Sequence, residues 1–364
     1  MRINGGYGIY FNSAAYTTLA TNMAAQPPFA QNYSLASTAS NPLSIATFNI
    51  GTNTVTNTRA IDPNYRIGYA QIWQLSMQSD LGHSLIGTIT VNHTKGTGLD
   101  QQFLPNSLPP GSKAVATGPS GFIYETSNGD STFNSAMFAL NRRSRNGLSG
   151  SLSYMWSKAI DDGGMGGLIA QNWLDLTAER GLSNFDARHT MNAQWMYSSG
   201  TGMRGGALLN GWKGRLMKDW TFVNGITLRT GSPLTISAGG NRSVVSGTGV
   251  SGPVRADATG QPLEPATPGY GFNIDAFSEP LTGSWGTAGR NVVPGPTVFS
   301  LSGSLGRIFR IGERRSIDLR FDATNALNHV TITNWGTTLG SSTFGLPTSA
   351  SAMRKMTANL RFRF

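Results

Sequence analysis

Cysteine is absent from the 364 residues, which excludes disulfide bonds, thiolate zinc sites and cysteine nucleophiles. Charged residues make up only 13% of the chain, and no run of about 18 apolar residues marks a transmembrane helix. The chain also lacks the Gly-x-Ser-x-Gly elbow of a serine hydrolase, the lysine of a phosphate-binding loop and the His-Glu-x-x-His spacing of a zinc site. The sequence therefore predicts no enzymatic activity, no metal site and no cofactor.

Basic residues outnumber acidic ones by 28 to 18, which gives a net charge of +10. A basic chain invites the hypothesis of nucleic-acid binding, whose footprint is a stripe or a helix of Lys and Arg. Here many basic residues fall in predicted short turns instead, such as Arg142, Arg143, Arg145, Arg310, Arg314 and Arg315. We therefore predict that nucleic acid is not a partner.

The last ten residues, 355–364, alternate between apolar and polar side chains, which is the pattern of a strand with two different faces. Leu360, Phe362 and Phe364 stand on the apolar face. An aromatic residue at the end of that face is typical of the closing strand of an outer-membrane β-barrel. We predict that these three residues form the signature that the barrel assembly machinery recognises. On this stretch alone, the last strand of a β-sandwich is an equal alternative.

Ten such strands can be traced, and the connections between them alternate between long and short. Outer-membrane barrels have long loops outside the cell and short turns on the periplasmic side, whereas a sandwich has no reason to sort its loops. The clearest hairpin turns at Asn146-Gly147, a pair that suits the positive φ angles of a tight turn. The residues predicted to face lipid lie in this hairpin and the next strand: Leu148, Leu152, Tyr154, Trp156, Trp195 and Tyr197.

The pattern predicts an all-β fold, namely an antiparallel transmembrane β-barrel wall of about ten strands in the outer membrane of a Gram-negative bacterium. Two other interpretations stay open at this point. One is an outer-membrane adhesin or passive channel of ten closed strands, and the other is a secreted β-sandwich binding module. Residues 1–11 already read as a strand and contain no export signal, so we expect the natural chain to begin further upstream.

Long connections are predicted at residues 96–131, 161–186, 231–296 and 325–352, with Leu234 and Ile236 extending the wall. The first connection could contain an added piece of strand at residues 122–126. The second connection contains five carboxylates, which are Asp161, Asp162, Asp175, Glu179 and Asp186. They could bind calcium or a cationic solute, because hard cations prefer several oxygen ligands. Their spacing matches no calcium-binding loop, so a solvated extracellular loop is the favoured interpretation.

Charges also alternate on the polar face of the penultimate strand, at Asp318, Arg320 and Asp322. They could contact a solute in a polar lumen, or they could form a charge ladder that links neighbouring strands. We favour the ladder, because opposite charges on neighbouring strands stabilise a sheet.

Six stretches of the sequence are similar to segments of a known protein family. They are YAQIWQLSMQ at 69–78, NRRSRNGLS at 141–149, SYMWSKAIDD at 153–162, AERGLSNFDARH at 178–189, FDATNALNH at 321–329 and the terminal Phe364. Together they resemble the C-terminal half of TonB-dependent outer-membrane receptors, in particular the Oar-like group with carboxypeptidase regulatory-like domains.

This resemblance implies a 22-stranded barrel, of which residues 1–364 would form a C-terminal portion without plug, signal peptide or regulatory domain. It further implies uptake of a large solute without covalent chemistry. The implied partners are the bilayer, the barrel assembly machinery, and the plug domain and energising inner-membrane protein of the full-length chain. It does not identify the solute.

Overall fold

The computed structural model describes residues 1–25, 29–30, 59–104, 123–163, 169–172, 174–202, 206–238, 254–281, 284–312 and 314–364. Ten long strands dominate it: β1 (Arg2–Phe11), β2 (Tyr69–Gly82), β3 (Leu85–Phe103), β4 (Ile123–Arg145), β5 (Leu148–Asp161), β6 (His189–Ser198), β7 (Trp220–Arg229), β8 (Val298–Ile311), β9 (Arg315–Thr324) and β10 (Lys355–Arg363). Two short helices lie between them, α1 (Ala14–Ala24) and α2 (Gly211–Met217). Among the described residues, neither helix is both long and apolar enough to cross a membrane.

The ten strands form one antiparallel sheet in which each strand pairs with its neighbours in the chain. Consecutive antiparallel pairing is the topology of an up-and-down barrel wall. The prediction of an all-β wall of about ten strands is therefore confirmed. The two edge strands are described in full, and β1 pairs with β2 while β10 pairs with β9. Since β1 and β10 do not pair with each other, these ten strands do not form the closed ten-stranded barrel of the channel hypothesis.

Register aligns the side chains in rows that cross the sheet. One row is almost entirely apolar from β1 to β8: Ile3, Met77, Ile89, Phe138, Tyr154, Met191, Leu228 and Phe299. The adjacent row points to the other face and is mostly polar: Arg2, Gln78, Thr88, Ala139, Ser153, Asn192, Thr227 and Ser300. Because side chains alternate along a strand, the sheet has one apolar face and one polar face.

The connections are sorted by length as predicted, except that the link from β6 to β7, residues 199–219, is longer than the connection from β3 to β4, residues 104–122. The short ones join β2 to β3, β4 to β5 and β8 to β9 at one end of the sheet, which we call the turn end. At this end Asn146 and Gly147 have φ angles of 54° and 79°, and a Cβ on Gly147 would lie 2.3 Å from the Ser198 carbonyl oxygen. The link from β6 to β7 also lies here and contains α2. The opposite end, the loop end, holds the long connections.

Two strands are longer than the hydrophobic pattern predicts. Instead of an irregular connection over residues 96–131, β3 continues to Phe103 and β4 begins at Ile123, while residues 105–122 lie outside the described part of the chain. Gly96 pairs with Ser131 and Gln102 pairs with Glu125 in this extension, so the ladder continues beyond the apolar rows. The prediction of an irregular connection was wrong here, because backbone hydrogen bonds join strands whether or not their side chains are apolar. A strand is present at residues 123–126, where an added piece of strand was predicted.

Segments of three long connections, within residues 162–188, 230–297 and 325–354, fold together at the loop end into a unit that we call the loop cluster. Ser237 donates its backbone N–H to the Thr337 carbonyl over 3.0 Å, and Leu339 donates to the Ser237 carbonyl over 2.9 Å. The cluster has its own buried core: Ile236, Ala238, Ala256, Phe272, Ala276, Phe277, Ala288, Val293 and Leu339. Two small ladders support it, Asp257–Ala258 with Phe277–Ser278 and Ile332–Trp335 with Pro347–Ala350.

Leu234 and Ile236 belong to the loop cluster and not to the wall. Leu234 forms an isolated bridge with Val293, and Ile236 is completely buried. The prediction that they extend the wall was wrong, because an alternating pair of apolar residues suits a buried core as well as an apolar sheet face.

Candidate functional site: the apolar face and the loop cluster

The apolar face of the sheet contains all six side chains predicted to face lipid: Leu148, Leu152, Tyr154, Trp156, Trp195 and Tyr197. Within the described structure they do not pack into a protein core, and Trp156 is 55% exposed. Isolated exposed apolar residues are ordinary, but a contiguous face of them marks an interaction surface. Contact of each of these six residues with lipid stays a prediction.

Aromatic residues lie toward both ends of this face. Trp156 and Tyr154 lie toward the loop end, where the Tyr154 hydroxyl and His189 Nδ1 are 2.8 Å apart. Trp195 and Tyr197 lie toward the turn end, next to the link that contains α2. Such a distribution is typical of a barrel wall whose ends meet the two membrane–water interfaces.

The predicted assembly signature lies on the edge strand β10 and just beyond it. Leu360 pairs with Leu319 of β9, and Phe362 pairs with Ile317. Phe364 follows the strand and is 97% exposed. The three side chains are therefore accessible, and recognition by the assembly machinery stays a prediction.

The charges on β9 form the predicted ladder only in part: Asp318 pairs with Arg363 of β10 at 3.7 Å, whereas Arg320 and Asp322 pair with each other within β9. Arg320 Nε donates to Asp322 Oδ1 over 2.8 Å and to the Ser304 hydroxyl of β8 over 2.9 Å. Asn359 of β10 donates to the other oxygen of Asp322 over 3.2 Å. These contacts connect three adjacent strands on the polar face.

Four of the five carboxylates at residues 161–186 are buried: Asp161, Asp162, Glu179 and Asp186. The favoured interpretation of a solvated loop was therefore wrong for these four. Asp175 alone is exposed, and its carboxylate accepts the Thr177 N–H at the start of a single helical turn. Within the described residues no group of three or more His, Asp or Glu side chains is arranged to hold a metal ion.

Two buried arginines of the loop cluster neutralise two of these carboxylates. Arg255 Nη1 donates to Glu179 Oε2 over 2.6 Å, and its Nε donates to the Ala288 carbonyl over 2.9 Å. Arg290 binds the Asp161 carboxylate, and its Nε donates to the Glu179 carbonyl over 2.9 Å. Since Asp161 is the last residue of β5, Arg290 fastens the loop cluster to the wall.

The other two buried carboxylates accept backbone N–H groups of the wall. Asp186 accepts the Ala159 N–H over 2.6 Å, and Asp162 accepts the Asp130 N–H over 3.0 and 2.8 Å. Burial raises the pKa of the Asp162 carboxyl above its ordinary value, although the backbone hydrogen bonds act in the opposite direction. These contacts hold the loop after β5 against the ends of β4 and β5.

Sequence reasoning did not identify Arg255 and Arg290 as functional residues. Their partners lie 76 and 129 residues earlier in the chain, in a different connection. No periodic pattern surrounds them. The only indication was indirect: buried carboxylates need cations, and the loop after β5 has too few basic residues to neutralise all of its carboxylates.

Comparisons place this geometry among known proteins. In structure the chain is similar to the outer membrane transporter YddB from Escherichia coli, with a TM-score of 0.54 and 9% sequence identity over 100% of this chain and 38% of that chain. It is also similar to P. aeruginosa FpvA in complex with heterologous pyoverdines, with a TM-score of 0.45 and 9% identity over 100% of this chain and 31% of that one. No curated protein matches the chain.

At this identity the likeness to YddB shows the fold alone, and the chain spans 38% of the length of YddB. The match to a protein family is more extensive, since it covers residues 1–357. The family is described as Outer membrane beta barrel domain. With its antiparallel wall, its apolar face and its sorted connections, this chain belongs to that family of bacterial outer-membrane proteins.

Proposed function

We propose that residues 1–364 are a C-terminal portion of the barrel of a TonB-dependent receptor of the Oar-like group. The six sequence stretches support the group, and the YddB fold is that of an outer membrane transporter. Within the described part of the chain the outer edges of β1 and β10 have no partner strand, which supports a larger barrel. A sheet edge that faces lipid leaves backbone N–H and C=O groups without partners, so further strands must cover both edges. The resemblance implies 22 strands in total.

The proposed activity is uptake of a large solute that first binds at the loop end, without covalent chemistry. The observation that carries this proposal is the loop cluster, which has a buried core and is fastened to the wall by Arg290. Loops that only connect strands need no core of their own, whereas a rigid support for exposed loop surface favours recognition.

The proposed partners follow from this function. The six apolar-face residues contact the acyl region of the outer membrane, and the polar face encloses a plug domain of the full-length protein. An inner-membrane protein supplies the energy for uptake. Leu360, Phe362 and Phe364 guide insertion through the assembly machinery, so deletion of Phe364 should lower the amount of protein in the outer membrane. An unchanged amount in fractionated membranes would refute that role.

Energised uptake can be tested in the native bacterium by comparing solute uptake in three strains. One strain lacks this gene, one lacks the energising inner-membrane protein, and one is wild type. We expect the two mutants to lose uptake of the same large solute, because the receptor releases it only when energised. A passive channel would keep uptake without the energising protein, and an adhesin would show no uptake defect in either mutant.

A further inference from the structure

A cleft of about 190 Å³ lies on the apolar face near its loop end. Its base is Ala136 of β4, which register places between Val91 of β3 and Trp156 of β5. The small side chain of alanine between two larger ones leaves a depression about one strand wide. Compact ligand pockets usually measure about 300–1,000 Å³, so this cleft suits a chain-like apolar group better than a compact molecule.

A polar row borders the cleft on the side of the loop end. It consists of His93, Asn134 and Lys158, which pair across β3, β4 and β5. The His93 Nδ1 and Asn134 Oδ1 atoms are 2.6 Å apart, and the His93 ring lies 5.1 Å from the Trp73 ring. The row therefore marks the place where the apolar face becomes polar, with indole rings beside it, as at a membrane–water interface.

Lys158 is the cation of this row, and no carboxylate within the described residues pairs with it. The neighbouring Lys95, in contrast, is neutralised by Asp130 at 2.7 Å. The backbone on both sides of Lys158 is held firmly, because the Ser157 hydroxyl donates to the Ala187 carbonyl over 2.8 Å and the Ala159 N–H donates to Asp186. An exposed positive charge thus stands at a fixed position above an apolar cleft.

We propose that this cleft binds one lipid of the outer leaflet, with an acyl chain along Ala136 and an anionic phosphate group at Lys158. The inference rests on the proposed contact of the apolar face with lipid and adds a specific site to it. Charge complementarity favours an anionic lipid, because its phosphate group would lie next to Lys158 while its acyl chain enters the cleft. The net charge of +10 acts in the same direction.

The proposal can be tested with the protein purified in detergent from outer membranes. Native mass spectrometry would measure the retention of added phosphatidylglycerol and of phosphatidylcholine with identical acyl chains. We expect a preference of about fivefold for the anionic lipid, the size that one lysine gives near a membrane surface. Lys158→Gln should abolish the preference, and Ala136→Leu, which fills the cleft, should reduce retention of both lipids.

Two matched controls are available in the chain. Lys213→Gln removes an exposed lysine at the turn end, and Ala193→Leu enlarges an alanine elsewhere on the apolar face. Both should retain lipid as the wild type does. Equal retention of the two lipids by wild type, or no effect of Lys158→Gln, would refute the site. If Ala136→Leu instead changes only the oligomeric state, the cleft contacts a protein and the lipid proposal fails.

A second measurement separates this proposal from the one on which it rests. In bilayers with brominated acyl chains, the fluorescence of Trp195, isolated by comparison with Trp195→Phe, should be quenched because its face lies in lipid. Quenching of Trp195 together with unchanged lipid retention by Lys158→Gln would refute only the lipid site. Absence of Trp195 quenching would refute the lipid contact of the apolar face, and the site with it.

Discussion

The wall and the loop cluster contain the same types of apolar side chain, but the wall exposes them and the loop cluster buries them. In the loop cluster Phe272 is 1% exposed and contacts Phe277 and Phe344 edge to face, at centroid distances of 5.9 and 5.4 Å. In the wall, Phe321 is 46% exposed. Of all buried apolar residues in the described chain, Ala159 is the only one within the ten wall strands. The wall is joined by backbone ladders, whereas the loop cluster is a small protein core at the loop end of the sheet.

The difference shows where each region obtains its stability. A barrel wall in lipid satisfies its backbone through the strands beside it and leaves its apolar side chains to the acyl chains. The loop cluster must bury apolar surface in protein and neutralise every charge that it encloses. Substitutions of the same kind should therefore have different effects in the two regions.

The largest effect is expected for Arg290→Met. It leaves the Asp161 carboxylate buried without a cation, which typically costs about 3–5 kcal/mol. Hydrogen exchange of backbone amides in residues 174–182 and 284–293 would measure the free energy of local opening. Arg310→Met is the matched control, because Arg310 is 63% exposed and lies 3.4 Å from Asp219. Its effect should stay below about 1 kcal/mol. Equal effects would contradict the role given to burial.

Phe272→Ala and Phe321→Ala compare the same truncation in the two regions. The first opens a cavity in a packed core and should destabilise the loop cluster by about 3–5 kcal/mol. The second removes a ring from the apolar face, where lipid tails can fill the space, so the loss should be smaller. Urea unfolding in lipid vesicles, followed separately for wall and loop cluster, would measure both. A larger loss for Phe321→Ala would mean that this ring packs against protein.

Leu152→Arg and Ser153→Arg compare the two faces of β5. Leu152 lies in the middle of the apolar face, where an arginine in contact with lipid should destabilise the wall by about 2–4 kcal/mol. Ser153 is its neighbour on the polar face, where an arginine can remain hydrated, so a much smaller change is expected. The measurement is the urea midpoint of the wall in vesicles. If the two variants lose the same stability, the apolar face does not lie in lipid.

The smallest effect concerns pH and Asp162. Its folded pKa is raised above the ordinary value of 3.8, so the folded state binds this proton more tightly than the unfolded state. The contribution of Asp162 is therefore fully present below pH 3.8 and is lost as the pH rises through the raised folded pKa. Asp162→Asn should remove this decrease from the pH profile of loop-cluster unfolding. A profile that keeps the same decrease in Asp162→Asn would assign it to another group.

Sequence reasoning was accurate for the wall because the face on which a strand residue lies is shared with the residues two positions away, so the pattern is visible locally. Alternation at β5 and the Asn146-Gly147 pair indicated the strand, its faces and its turn without knowledge of any other strand. It failed at residues 96–131, where paired strands carry polar side chains that give no apolar signal. It also failed for the acidic loop, since Arg290 lies 129 residues from Asp161.

The sequence by itself determined the ten strands, their two faces and the short turns at one end of the sheet, because period-two alternation and turn chemistry are local. Only the tertiary structure decided that two connections share one core, that Arg255 and Arg290 neutralise Glu179 and Asp161, and that Ala136 lies at the base of a cleft below Lys158. These arrangements depend on which segments meet in space. Burial and charge pairing between distant segments leave no periodic signal along the chain.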